Sequence, residues 1–175
     1  MTLAPDGVRI RDLSPHRDAR GSFTELHRLE WETGVAPVQW NAVHSEPGVL
    51  RGVHVHPRHD DYLVFFGGHA TLGLSDLRPS APPDRHAVCI ECSGDKPIGI
   101  TIPHGVAHGF FFHDAGLHIY AVSHYWDKED ELGCHWSDPE LGIPWPQTEA
   151  RVSDRDAELP SLAVLLDQLE PQPTS

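Results

Sequence analysis

The chain has no basic run, no apolar run of membrane-spanning length, no internal repeat and no clear linker. Asp and Glu outnumber Lys and Arg by 26 to 13. Nucleic acids and anionic membranes, which need a cationic surface, are therefore excluded as general partners. A single anionic small molecule held by two or three arginines stays compatible with that balance. No stretch approaches the roughly 20 apolar residues a spanning helix needs. The N-terminal residues also lack a charged-then-apolar leader pattern, so a cytoplasmic location is expected. Cysteine is scarce: Cys89, Cys92 and Cys134 are the whole set. The single Cys89-x-x-Cys92 has no second pair to complete a structural zinc site, and the thiols read as reduced residues in a strand region.

What is present points to a mainly β domain. At 175 residues the chain is expected to be one domain, residues 1–175, large enough to bury a core without staples. Short apolar segments recur between turn signals, and strands are predicted over Val53–Val55, Tyr62–Phe66, Ala70–Leu74, Ala87–Cys92, Ile98–Ile102, Phe110–Phe112 and Leu117–Tyr125. Gly67-Gly68 suits a tight hairpin, and Pro79 through Pro83 forbids a continuing central strand. Many short strands with 15 glycines and 16 prolines favour a sandwich or barrel over an α/β sheet. Only the tail reads as helix: Leu162, Leu165, Leu166 and Leu169 recur at helical spacing after Pro160. Residues Pro171–Ser175 are expected to fray.

Strand alternation puts His54 and His56 on one face, and likewise His118, Tyr120, Val122 and His124, or Ile98, Ile100 and Ile102. Histidine is abundant, with 14 residues concentrated between His54 and His135, which suits either surface enrichment or chemistry near neutral pH. The densest chemistry lies in Gly48-Val-Leu-Arg-Gly-Val-His-Val-His56, continuing to Asp61 and Gly68. Arg51 can hold a phosphate with its fixed fork, the adjacent glycine letting a ligand approach the backbone, or it can form a surface salt bridge. Arg20 repeats the Arg-Gly pair, so the two make a diphosphate clamp, with Arg78 a weaker third candidate. His54 can be a base, which needs a carboxylate to fix its tautomer, and that carboxylate must be distant in sequence. Tyr120 can be the complementary acid. Alternatively His54, His56 and Asp61 are metal ligands. The two readings compete for His54.

These residues fall into an ordered set of motifs. They are Asp18-x-Arg20-Gly-x-Phe23-x-Glu25, Gln39-x-Asn41, Gly48-Val-Leu-Arg-Gly-Val-His54 and Ser75-Asp-Leu-Arg78. Further on come Ile102-Pro-His-Gly-Val-Ala-His-Gly-Phe110, Tyr120 with Tyr125, Trp136-Ser-Asp-Pro139, Trp145-Pro146 and Ser153-x-x-Asp156. Over roughly residues 6 to 165 the chain resembles the dTDP-4-dehydrorhamnose 3,5-epimerases, cupin-fold enzymes of deoxysugar biosynthesis. The resemblance implies an all-β jelly-roll barrel with short peripheral helices, one near the C-terminus, assembled as a homodimer. It implies no cofactor and, as partner, a dTDP-linked 4-keto-6-deoxy sugar. By it His54 is the base, Asp156 its carboxylate partner and Tyr120 the acid on the opposite sugar face. Arg20 and Arg51 match diphosphate ligands, with the segment around Arg20 and Glu25 contacting nucleotide on the partner subunit. Gln39, Asn41 and His108 match residues of the sugar pocket, Phe23 and Glu25 match contacts near the nucleoside, and Tyr125 belongs to the substrate-binding set.

The chain departs from that pattern at two places. The family usually carries a lysine just after the histidine's turn, where it meets the enolate oxygen; here the position falls on Asp61 or Tyr62. His56 stands where glutamine is common. Gly48-x5-His54-x-His56-x4-Asp61-x6-Gly68 also resembles a metal-binding cupin motif, and Pro103-x-Gly105-x-x-His108 the core of its second half. That reading makes His54, His56, Asp61 and His108 a metal set in an oxygenase or isomerase. A catalytically silent sugar-binding cupin is the third possibility. Trp31, Trp40, Trp126, Trp136 and Trp145 are assigned to packing, with Trp40 within reach of the pocket. Phe110-Phe-Phe112 reads as core or dimer interface, and His104 and His113 as loop residues.

Overall fold

The structure is a computed structural model that describes residues 4–169; the tail at Pro171–Ser175 lies outside them. The described residues form twelve strands and two α-helices: β1 (Arg9–Asp12), β2 (His16–Asp18), β3 (Gly21–Phe23), β4 (Gln39–Ser45), β5 (Leu50–Val55), β6 (Asp61–Gly67), β7 (His69–Asp76), β8 (Val88–Ser93), β9 (Ile98–Ile102), β10 (Val106–Phe112), β11 (Gly116–Val122), β12 (Leu132–Gly133), α1 (Asp154–Ala157) and α2 (Leu162–Leu169). They build two five-stranded sheets, ordered β1-β9-β6-β11-β4 and β12-β5-β10-β7-β8, with β2-β3 as a separate hairpin. This is the expected jelly-roll barrel.

The alternation of each strand sorts its residues between three apolar layers. Leu63 and Phe65 of β6, with Ile100 and Ile102 of β9, face Ala70, Leu72 and Leu74 of β7 and Phe110 and Phe112 of β10 across the barrel interior. The intervening residues Tyr62, Val64 and Ala121 pack outward against Leu13 and Val35. Behind the second sheet, Val53, Val55, Ala107 and Phe111 meet Leu162 and Leu165 of α2. Each fully buried Leu, Ile or Phe in these layers contributes about 1.5–3 kcal/mol of transfer free energy.

The structure corrects three expectations. Gly67-Gly68 does not close a hairpin, because β6 and β7 belong to different sheets; it is a corner where the chain changes sheet. A Cβ on Gly68 would lie 2.3 Å from the Ala115 carbonyl oxygen, so the corner is tight enough to require glycine. The strand expected over Leu117–Tyr125 ends at Val122, which leaves His124 off the face shared by His118, Tyr120 and Val122. A second helix, α1, precedes the predicted one. Ser153 caps it by accepting the Asp156 amide proton, and at four residues it is too short to show helical periodicity.

Candidate active site

The apolar layer fills only one end of the barrel interior. At the other end the same inward-facing positions carry polar side chains: His54 from β5 and His56 just beyond its end, Asp61 from β6, His108 from β10, and His118 and Tyr120 from β11. With Val43, Arg51, Leu63, Phe110, Trp126, Glu131, Ser153, Arg155 and Asp156 they line a cavity of about 270 Å³. That is the lower end of ligand-pocket volumes and suits a group the size of one sugar ring, with any larger appendage lying over the rim.

His54 Nε2 lies 2.8 Å from Asp156 Oδ1. The ionised carboxylate only accepts, so Nε2 carries the hydrogen and Nδ1 is left as the basic atom. Burial would raise Asp156, but the hydrogen bond from His54, its charge, the Gly52 amide and Arg155 together hold it below the usual carboxylate range. The carboxylate is positioned by the capped first turn of α1 and by the Gly52 N–H, 3.4 Å from Oδ2.

Arg51 and His54 are three positions apart and would face opposite sides of a regular strand. They line the same cavity because β5 carries one extra residue: His54 pairs with His108 but Arg51 with Phe110, a bulge of the kind that re-aims side chains at functional sites. Arg51 Nε donates to Ser45 Oγ at 2.8 Å and Nη2 to the His44 carbonyl at 3.2 Å. Among the described residues no carboxylate pairs with it, so the surface salt-bridge reading does not hold. Arg78 does take that role, locked onto Asp76 at 2.6 Å and absent from the residues lining the cavity.

Tyr120 projects from the sheet opposite His54. Burial, then the charges of Glu131 and Asp61, raise its phenol above the ordinary value, so it stays protonated. His118 stacks on Phe110 and Phe112 with ring centroids 5.0 and 5.8 Å away, and burial drives it down to about 4. Where the family's lysine would stand, Asp61 and not Tyr62 faces the cavity; the Tyr62 hydroxyl turns outward to donate to the Leu26 carbonyl at 2.6 Å. Burial, reinforced by Glu131, Asp60 and Asp130, raises Asp61 well above the carboxylate range. Burial likewise brings His56 and His108 down to about 3.

Other candidates are distributed differently. Gln39 and Asn41 share the inward face of β4 with Val43, and the Gln39 amide donates to Asn41 Oδ1 at 2.9 Å. Trp40, between them, turns away from the cavity to contact His27 and Tyr62, while Trp126 is the tryptophan that lines the pocket. Arg20 and Phe23 lie on the β2–β3 hairpin, away from the cavity, and Phe23 is 65% exposed. Glu25 follows that hairpin and pairs with Arg28. Tyr125, 75% exposed, sits in the loop after β11. The four-residue metal set is not assembled. His56, Asp61 and His108 bring ligand atoms within 4.8 Å of one another, and among the described residues His54 joins no such cluster. Sequence reasoning missed Glu131 and Arg155, which line the cavity, and His59, which stacks on His56; Glu131 and His59 come from loops and Arg155 from the four-residue α1, where no periodicity assigns a facing direction.

A half-filled jelly roll whose polar end sets a His–Asp pair and a phenol on opposite walls of a sugar-sized cavity has the groups that proton transfer on a carbohydrate requires. Residues 2–164 match the family model of dTDP-4-dehydrorhamnose 3,5-epimerase. The spore coat polysaccharide biosynthesis protein SpsL of Bacillus subtilis (strain 168) is 34% identical over 152 residues, 83% of this chain and 99% of its own. The dTDP-4-dehydrorhamnose 3,5-epimerase of Shigella flexneri is 32% identical over 164 residues, 89% of this chain and 90% of its own. Among solved structures, the 3'-monoepimerase ChmJ of Streptomyces bikiniensis, a double mutant in complex with dTDP, has a TM-score of 0.87 at 25% identity, covering 97% of this chain and 90% of its own. The epimerase RmlC of Legionella pneumophila, in complex with dTDP-4-keto-L-rhamnose, has a TM-score of 0.83 at 27% identity, covering 97% and 95%. The chain belongs to the dTDP-4-dehydrorhamnose 3,5-epimerase family. It is a nucleotide-sugar epimerase of deoxysugar biosynthesis, an isomerase with a cupin-like fold.

Proposed function

We propose that this protein epimerises a dTDP-linked 4-keto-6-deoxyhexose at C3, C5 or both, with His54 as base, Asp156 as its partner and Tyr120 as acid. The observation that carries the reading is the 2.8 Å His54–Asp156 pair facing the same cavity as Tyr120. A 4-keto group acidifies the hydrogens on its neighbouring carbons. His54 Nδ1 takes one of these protons, the C–H electron pair moves into an enolate, and Asp156 stabilises the imidazolium through Nε2. Tyr120 then delivers a proton to the same carbon from the opposite face, which inverts it. One C–H bond breaks and one forms, the sugar is neither oxidised nor reduced, and solvent resets the two side chains.

Arg51 at the rim, held by Ser45, suits the first phosphate beyond the sugar. The exposed β2–β3 hairpin suits a partner's nucleotide site: Arg20 and Phe23 stand too far from their own cavity to line it, which supports a homodimer with exchanged hairpins. Gln39, Asn41 and His108 complete the sugar end, with Glu25 and Tyr125 as further substrate contacts, and the whole chain acts as one domain. Three free cysteines and a nucleotide-sugar substrate suit the cytoplasm.

The test is deuterium incorporation into dTDP-4-keto-6-deoxyglucose in D₂O, resolved by position. Exchange at C3 or C5 above the buffer rate is expected, and its absence at both sinks the reading. Asp156→Asn and His54→Asn are each expected to slow exchange about 10²–10⁴-fold. Tyr120→Phe is expected to spare exchange more than inversion, because the base still removes the proton.

A further inference from the structure

We infer that His56, Asp61 and His108 form a divalent transition-metal site on the cavity wall. His56 Nε2 and His108 Nε2 lie 3.6 and 3.8 Å from the same oxygen, Asp61 Oδ2. Both separations are too long for hydrogen bonds, and among the described residues the Asp61 carboxylate accepts none. Atoms bound to one metal at about 2.1 Å sit about 3.0–3.5 Å apart, so a few tenths of an ångström of closure would bring each imidazole to coordination spacing from the carboxylate, and the three ligand atoms all lie within 4.8 Å of one another.

The tautomers point the same way. His56 Nδ1 is 3.2 Å from the Asp130 carbonyl, and His108 Nδ1 is 3.3 Å from the Val106 carbonyl. A carbonyl only accepts, so each Nδ1 carries the hydrogen and each Nε2 presents its lone pair toward Asp61. Three possible ligand atoms thus converge with no imidazole N–H between them. Backbone carbonyls holding the far nitrogen of an imidazole are the usual way a protein aims a metal-binding histidine. The same loop braces the neighbour on the other side. His59, stacked on His56 at 4.1 Å, is held at Nδ1 by Asp130 Oδ2 at 2.6 Å. His54 stays outside the set on Asp156, so a metal and a free base coexist in one cavity. Two imidazoles and one carboxylate suit Fe(II), Mn(II), Co(II) or Zn(II). The site's role, which rests on the epimerase reading, is to take the negative charge that develops on the sugar's 4-oxygen, the task the family's lysine would serve. His108 is then a ligand and not a direct sugar contact.

The test reads metal separately from catalysis. Protein stripped with EDTA and dialysed is titrated with Co²⁺, Zn²⁺ or Mn²⁺, one at a time, following visible absorption for Co²⁺ and thermal unfolding for all. About one equivalent bound per chain is expected, with Tm rising about 5–10 °C at roughly a hundredfold excess over Kd. Asp61→Asn and His108→Gln are each expected to weaken binding at least about a hundredfold, while His54→Asn binds as the wild type does and loses exchange. A wild-type chain that takes up none of the three metals overturns the site, whatever the variants do. So does an Asp61→Asn chain that binds like the wild type. Metal uptake without any hydrogen exchange would sink the epimerase reading and leave the site standing. Undiminished exchange in the stripped enzyme would overturn the site's catalytic role.

Discussion

His118 offers a measurement of how dry the barrel interior is. The residue is 4% exposed, stacked between aromatic neighbours, and among the described residues its Nδ1 has no hydrogen-bond partner. Burial brings its pKa from the ordinary 6.5 to about 4. The unfolded chain therefore binds a proton below pH 6.5 that the folded chain refuses until about pH 4. Stability is full above pH 6.5 and is lost as the pH falls toward 4. Going from pH 7.5 to pH 5 spans about 1.5 units of that window, so His118 alone removes about 2 kcal/mol. His118→Phe keeps a ring in the stack and cannot titrate. It is expected to lose about 2 kcal/mol less stability than the wild type over that interval. It should also be somewhat more stable at pH 7.5, because an unpaired buried nitrogen costs about 1–3 kcal/mol. Urea unfolding followed by tryptophan fluorescence at the two pH values, at fixed protein concentration, gives the double difference. His56 and His108 titrate alike in both proteins and cancel. Equal losses in the two proteins, within about 0.5 kcal/mol, would refute the reasoning.

Three other perturbations test the frame of the site. Gly52→Ala would place a Cβ 2.7 Å from Gly109 Cα and 2.8 Å from the His108 carbonyl, at a φ of +121°. Both obstacles are backbone, so a loss of about 2–4 kcal/mol is expected, and an unchanged denaturation midpoint would contradict the packing described. Leu165→Ala removes a fully buried side chain that seats α2 on the second sheet. It should cost about 2–5 kcal/mol in chemical denaturation, leaving hydrogen exchange by the remaining folded enzyme intact. Arg51→Ala should lower kcat/KM for the nucleotide sugar about 10–100-fold, mainly through KM and less so in high salt; an unaffected KM would remove Arg51 from phosphate binding.

The sequence by itself determined the β architecture, the amphipathic tail helix and the inward faces of β5, β9 and β11, because a period of two or of 3.6 is written locally in apolar residues. Through its ordered motifs it also carried the family and the pairing of His54 with Asp156, 102 positions apart. Two classes of fact belonged to the tertiary structure alone. One is where regularity breaks. The bulge that turns Arg51 and His54 into the same cavity, and the corner at Gly67-Gly68, depend on which strands pair, and pairing is a property of the assembled sheets. The other is the company kept by residues in turns and loops. Nothing near Glu131 or His59 in sequence indicates that the first is drawn to the cavity wall and the second stacks behind His56. Nor does the motif containing His54, His56, Asp61 and His108 reveal that three converge while the fourth leaves for α1. Side-chain direction inside a strand is set by alternation, whereas convergence on a common point requires the sheets to have closed around it.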